Sequence, residues 1–202
     1  MASAHAPWHA RRVLFLASQS PRRRQLLEQL GLRFSVLDCT VDEVRAAGEP
    51  PEDYVRRVAR EKAGAGLVQV AGVPGAVVLA ADTEVVLGDD VFGKPGDAAS
   101  AAAMLARLSG RAHRVLSAVC VVDGGREREL LQESLVHVAP LDAGTIAAYV
   151  ATGEPFGKAG AYGIQGRAAA LVERIEGSYT GVMGLPLFET ARLLRDFGIV
   201  AG

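Results

Sequence analysis

Short apolar runs of β character alternate with segments of helical spacing along most of this chain, and that alternation admits few architectures. Val13–Ala17 reads as a strand. Ser20 then suits a helix N-cap and Pro21 the first helical position. Leu26, Leu27 and Leu30 supply a helical apolar stripe, and Gly31 supplies the stop. Residues 33–40 read as a second strand, and Pro50-Pro51-Glu52-Asp53 opens a long helix to about Val70. Residues 76–87 read as a strand, turned by Gly88-Asp89-Asp90 into a hairpin. Asp97 caps an alanine-rich helix that stops at Gly110. Residues 115–122 and 134–139 read as strands, and Asp142 caps a helix ending at Gly153. A glycine-rich loop over 154–166 leads to a strand over 168–175 and a last helix from about Pro186 to Gly198. The class is α/β. No internal repeat and no separating linker interrupt the pattern. A flexible extension over residues 1–12, followed by a single domain over 13–202, is expected.

The first helix breaks a local rule. Arg22, Arg23 and Arg24 occupy its first turn, at the positive end of the helix dipole, where each cation costs a few tenths to about 1 kcal/mol. A bound anion reverses that sign. Free backbone N–H groups, the hydroxyls of Ser18 and Ser20, and guanidinium groups together make a phosphate cradle. The alternative is a solvated basic turn. A rule broken at a strand–helix junction favours the cradle.

Net charge is −1, and no basic stripe recurs outside the cluster at 22–24, so nucleic acid and anionic membranes are not the expected partners. Arg11-Arg12 followed by Val13-Leu14-Phe15-Leu16 superficially looks like a twin-arginine export signal. Its apolar run falls short of the roughly 7–15 residues that export requires. No run approaches the ~18 apolar residues of a membrane span. Cys39 and Cys120 have no Cys or His at metal spacing and read as core thiols of a reducing, cytoplasmic compartment. His5, His9, His113 and His137 form no metal spacing either.

Asp82 interrupts the apolar strand Ala76–Leu87, where an acid costs burial energy unless paired, hydrated or metal-bound. A metal ligand or general base fits that position, and so does a turn cap where the strand breaks. Glu84 shares a strand face with Asp82 and reads more simply as a solvated edge-strand glutamate than as a partner carboxylate. Lys62 lies on the apolar stripe of Tyr54, Val55, Val58 and Ala59; it either snorkels or points into a cleft. Lys94, between Gly93 and Pro95, suits a phosphate contact or an exposed turn equally. Gly157, Gly160, Gly163 and Gly166 permit close backbone approach to a ligand, and Gln165 among them offers donors and an acceptor suited to a base edge. A mobile surface loop is the alternative. The loop matches neither the Walker A nor the dinucleotide spacing.

Taken together, Leu16-Ala17-Ser18-Gln19-Ser20-Pro21-Arg22-Arg23-Arg24, Arg60-Glu61-Lys62-Ala63, Ala81-Asp82-Thr83, Gly93-Lys94-Pro95, the run from Lys158 to Gly166, Gly177-Ser178-Tyr179 and Val182-Met183-Gly184-Leu185-Pro186 make the chain resemble the Maf family of nucleoside triphosphate pyrophosphatases. The resemblance implies an elongated mixed sheet flanked by helices, with two lobes around a central cleft, similar to the inosine triphosphate pyrophosphatase fold. It implies metal-dependent hydrolysis of a nucleoside triphosphate to monophosphate and pyrophosphate, with Mg²⁺ or Mn²⁺. By the same resemblance, Asp82 is the acid/base; Ser18, Ser20, Arg22 and Arg23 hold phosphates; Lys62 and Lys94 complete the charge clamp; and Glu43 and Asp82 hold the metal. Arg22, Thr83 and Gln165 match the branch similar to dTTP/UTP pyrophosphatases, with Thr83 and Gln165 complementing a pyrimidine edge. Glu84 departs from a family position that is usually apolar. The expected partner is the nucleotide, with no nucleic acid and no membrane; a homodimer stays open. The rival reading is a non-catalytic nucleotide-binding regulator of septum formation or cell division, which would have no need of Asp82.

Overall fold

The computed structural model describes residues 12–200. Of the extension expected over residues 1–12, all but Arg12 lies outside the described residues, and Arg12 itself pairs with Asp123 at 3.2 Å. Elements follow in the order β1 (Val13–Ala17), α1 (Pro21–Gln29), β2 (Phe34–Leu37), α2 (Pro51–Gln69), β3 (Ala76–Leu87), β4 (Asp90–Phe92), α3 (Ala98–Leu108), β5 (Ala112–Val122), β6 (Glu127–Val138), α4 (Ala143–Val150), β7 (Val172–Glu176), α5 (Tyr179–Met183) and α6 (Leu187–Asp196). The seven strands form one sheet in the order β2-β1-β3-β5-β6-β7, with β4 paired to β3. β1 runs parallel to β2 and β3, and the remaining pairings are antiparallel. The α/β class with a mixed sheet flanked by helices is as expected.

The alternation of β3 divides the interior. Val77, Leu79 and Ala81 face Leu26 and Leu27 of α1 and Leu193 and Leu194 of α6. Val78 and Ala80 face Val55, Ala59 and Ala63 of α2. Gly66 is what lets α2 approach the sheet so closely, because a Cβ there would lie 2.9 Å from Val78 and 3.0 Å from Ala17. A third cluster joins Val85, Phe92, Leu105, Val115, Val136, Ile146 and Tyr162 at the other end of the sheet.

The connections make a ligand crevice. β1 leads through α1 on one face to β2, and β2 returns through α2 on the opposite face to β3. The carboxyl end of β1 is therefore a switch point, the usual ligand position in an open sheet with parallel strands. The pairing of β3 with β1 ends at Leu79, and its pairing with β4 begins at Val85. Between them one edge of β3 is left open, while its other edge stays paired with β5 throughout.

Four elements differ from expectation. β2 is shorter than residues 33–40. β6 begins at Glu127 rather than Ser134, because its charged outer half, Glu127 to Glu133, hides a ladder with β5 that only the pairing reveals. Arg167–Leu171 forms a 3-10 turn, so β7 starts at Val172 rather than Ala168. α5 was not foreseen: it is five residues long, capped by Ser178 and ended by Gly184.

Candidate active site

The first turn of α1 projects two arginines into the crevice. Ser20 caps the helix, its Oγ accepting from the Arg23 backbone N–H, and the Ser20 N–H donates to Ser18 Oγ. The Arg23 guanidinium donates to the Gly184 carbonyl at 2.9 Å, to Thr83 Oγ1 at 3.1 Å and to Ser18 Oγ at 3.4 Å. Arg22 donates to the Met183 carbonyl at 3.4 Å. Burial lowers the pKa of both guanidinium groups, and Arg22 is lowered further by Arg23. Their direct partners are all neutral oxygens, so two half-buried positive charges face the cavity without a contacting carboxylate. Arg24 turns outward to Glu28 and takes no part, which reduces the cradle from three arginines to two.

The opposite wall comes from α2 and β3. β3 continues unbroken through Asp82, which is 5% exposed. Lys62 Nζ lies 2.8 Å from Asp82 Oδ1 and 2.6 Å from Glu43 Oε1. Lys62 thus points inward and does not snorkel; its place on the buried stripe of α2 delivers the ammonium to the carboxyl end of the sheet. Lys94 approaches Glu43 Oε2 at 3.9 Å from the turn after β4. Burial alone would raise the Glu43 pKa, but hydrogen bonding and charge from Lys62, with Lys94 and Arg23, bring it below its ordinary value. Tyr54 holds the Glu43 backbone by donating to its carbonyl at 3.0 Å. Asp82 Oδ2 is buried and has no hydrogen-bond partner.

Glu84 corrects the reading of a solvated edge residue. One edge of β3 is open at this point, yet Glu84 is only 8% exposed, on the same face as Asp82. Burial first, then the charges of Asp82 and Glu43, push its pKa well above the usual carboxylate range.

The glycine-rich loop closes the third side. Gly157, Lys158, Ala159, Tyr162, Gly163, Ile164 and Gln165 line the cavity, with Gln165 exposed at its mouth. Gly160 has φ 68, and a Cβ there would lie 2.9 Å from Val85. Tyr162 OH and His113 Nε2 are 2.7 Å apart. The Glu154 carboxylate accepts from Tyr149 OH at 2.9 Å and from the backbone N–H groups of Arg167 and Ala168, and the Lys158 ammonium donates to the Glu154 carbonyl. Lys158 and Glu154 were not singled out from sequence; Lys158 opens the quoted loop motif, whereas Glu154 carried no signal in its spacing. Thr83 Oγ1 is within 3.1 Å of both Arg23 and Ser117, so its hydroxyl is engaged on the arginine side of the cavity.

The walls enclose about 900 Å³. Ser18, Ser20, Arg22, Arg23, Glu43, Lys62, Asp82, Thr83, Lys94 and Gln165 all line this one space. Among the described residues, no three His, Cys, Asp or Glu side chains form a ready-made metal cage. The buried, unpartnered carboxylate oxygen of Asp82 nevertheless suits a hard divalent cation completed by waters and phosphate oxygens. The Glu43 oxygens are turned to Lys62 and Lys94.

Two arginines without a contacting carboxylate, facing a buried carboxylate–ammonium pair at the switch point of a mixed sheet, define an α/β protein whose cavity suits phosphate anions. The chain belongs to the Maf-like protein family, whose profile matches residues 13–197. It is similar to the dTTP/UTP pyrophosphatase of Cupriavidus metallidurans, at 55% identity over 195 residues, 93% of this chain and 98% of that protein. It is 56% identical over 186 residues to the nucleoside triphosphate pyrophosphatase of Xylella fastidiosa, covering 92% of this chain and 98% of that one. A more distant likeness, with TM-score 0.42 and 13% identity over 63% of this chain and 72% of the other, is to the Ham1 protein of Staphylococcus aureus.

Proposed function

We propose that this chain hydrolyses pyrimidine nucleoside triphosphates, dTTP and UTP and their modified forms, to the monophosphate and pyrophosphate, in a house-cleaning role. The observation that carries this reading is Asp82: a buried carboxylate, one oxygen paired with Lys62 and the other without a partner, in the wall of an arginine-lined cavity large enough for a nucleotide.

The triphosphate tail lies between the α1 turn and Lys62. Ser18, Ser20, Arg22 and Arg23 hold its oxygens, and Lys62 and Lys94 neutralise the charge that collects on the departing pyrophosphate. Asp82 orients a water for in-line attack on the α-phosphorus and accepts its proton. Lys62, bonded to Oδ1, fixes the rotamer of that carboxylate. A divalent cation, Mg²⁺ or Mn²⁺, held by Asp82 with Glu43 nearby, supplies charge neutralisation at the phosphates when bound. Gln165, at the mouth, meets the base edge. The same reading takes residues 13–202 as one domain and places the protein in the cytoplasm; among the described residues no helix is long and apolar enough to cross a membrane. A homodimer is compatible with it.

A panel of purine and pyrimidine triphosphates with Mg²⁺, assayed for released pyrophosphate, tests the proposal. dTTP and UTP should exceed the purines by about tenfold or more, the discrimination expected when a site hydrogen-bonds a substrate edge. Equal turnover of purines and pyrimidines overturns the base assignment. Asp82→Asn should lose about two orders of magnitude or more in kcat; full activity in that variant overturns the mechanism.

A further inference from the structure

Glu84 is a buried carboxyl group without a partner. It stands in a stretch of β3 paired with β5 along one edge, is 8% exposed, and among the described residues its carboxylate makes no hydrogen bond and no ion pair. A buried carboxylate is retained when it is paired or coordinated. Nearby cations are committed elsewhere. Lys62 is held by both Asp82 Oδ1 and Glu43 Oε1. Lys94 is largely exposed and lies toward Glu43. Arg23 is fixed to Gly184, Thr83 and Ser18, and Thr83 lies on the strand face opposite Glu84.

One oxygen of its neighbour Asp82 is buried and unsatisfied. Asp82 and Glu84 are two residues apart in an unbroken strand, so they share a face and stand about 7 Å apart at Cα. Asp82 Oδ2, the atom Lys62 leaves free, has no partner, and both residues line the same cavity. Three carboxylates, Glu43, Asp82 and Glu84, are thereby set against two ammonium groups, Lys62 and Lys94. Two hard oxygen donors on one rigid strand, from residues that line the same cavity, match the way Mg²⁺ and Mn²⁺ are taken up by one or two carboxylates.

We propose that Glu84 is a divalent-cation ligand that acts with Asp82 Oδ2, giving this chain a two-carboxylate site that loads its ion before the nucleotide arrives. The proposal rests on reading the cleft as a metal-dependent phosphohydrolase site, but its test needs no turnover. The full chain is titrated with Mn²⁺ alone, free ion being followed by electron paramagnetic resonance, and the unfolding curve of each variant is recorded. The unsubstituted chain should bind one Mn²⁺, and Glu84→Gln and Asp82→Asn should each weaken binding about tenfold or more, the scale of losing a ligand or its orienting partner. Glu84→Asp should fall between. Glu84→Leu, which packs as the strand's other apolar residues do, serves where the amide variant is unfolded, and should show the same loss. Equal Mn²⁺ affinity in a folded Glu84→Gln or Glu84→Leu overturns the proposal, as does a chain that takes up no Mn²⁺ until nucleotide is present. A chain that binds Mn²⁺ through Glu84 but hydrolyses no triphosphate keeps this inference and sinks the pyrophosphatase reading; hydrolysis with unaltered Mn²⁺ affinity does the reverse.

Discussion

Lys62 carries more of the site than any other side chain, because its one ammonium satisfies two carboxylates. Removing it leaves Asp82 a buried, uncompensated charge. Breaking a buried pair from one side costs about 3–5 kcal/mol. Lys62→Met should therefore lower unfolding free energy by about 3 kcal/mol in urea titrations, the pair being largely buried. Adding Asp82→Asn to Lys62→Met should return a large part of that loss, since the second change removes the stranded charge. A double variant whose losses simply add would mean that the two groups do not interact. At this scale the sequence marked Asp82 and Lys62 as residues out of place. It said nothing of their pairing, because their contact spans α2 and β3 and has no signature in local spacing. Glu84 differs from its sequence reading for the same reason: whether an edge glutamate is solvated or buried depends on what the rest of the chain packs over it.

Among the elements, the two ends of the loop over residues 154–168 are joined by the Glu154 carboxylate. Glu154 gathers Tyr149 OH and two backbone N–H groups, while its own backbone carbonyl accepts from Lys158. The loop carries Gln165 to the mouth of the cavity, so its order bears on nucleotide affinity more than on chemistry. Glu154→Gln keeps the shape but replaces charge-assisted bonds, which are roughly twice as strong as neutral ones, by weaker ones. KM for the nucleotide should rise about fivefold to tenfold, some 1–1.4 kcal/mol, with kcat nearly unchanged. An unchanged KM with a reduced kcat would place Glu154 in the chemistry instead. The glycines of this loop suggested close approach to a ligand. At Gly160 the structure shows close approach to Val85 instead, so that glycine serves packing of the loop onto β3.

For the molecule as a whole, the pH dependence of stability should carry the mark of His113. It is buried in β5 beside Tyr162, and its Nδ1 has no partner. Burial, helped by His137, pulls its pKa down to about 4 from an ordinary 6.5. The unfolded chain binds a proton near pH 6.5, whereas the folded chain resists until about pH 4. Stability is therefore fully present above pH 6.5 and falls as pH drops through that window, by up to about 3 kcal/mol from this residue. His113→Gln, which keeps a hydrogen-bonding group for Tyr162, should flatten that part of the curve. Urea unfolding at intervals from pH 7 to pH 4 measures it, and an identical slope in the two proteins would assign the acid sensitivity elsewhere.

Local rules were enough to locate β1, β3 and α1 and to single out the arginines, Asp82 and Lys62, because caps, strand runs and misplaced charges are written in neighbouring residues. The ladder of β6, the one-turn helix α5, the burial of Glu84 and the outward turn of Arg24 depended on partners far along the chain. Long-range packing decides which charge meets which, and burial then decides what each charge must do. The convergence of α1, α2 and β3 on one cavity is of that second kind: periodicity places each side chain on a face, but only the sheet order brings the faces together.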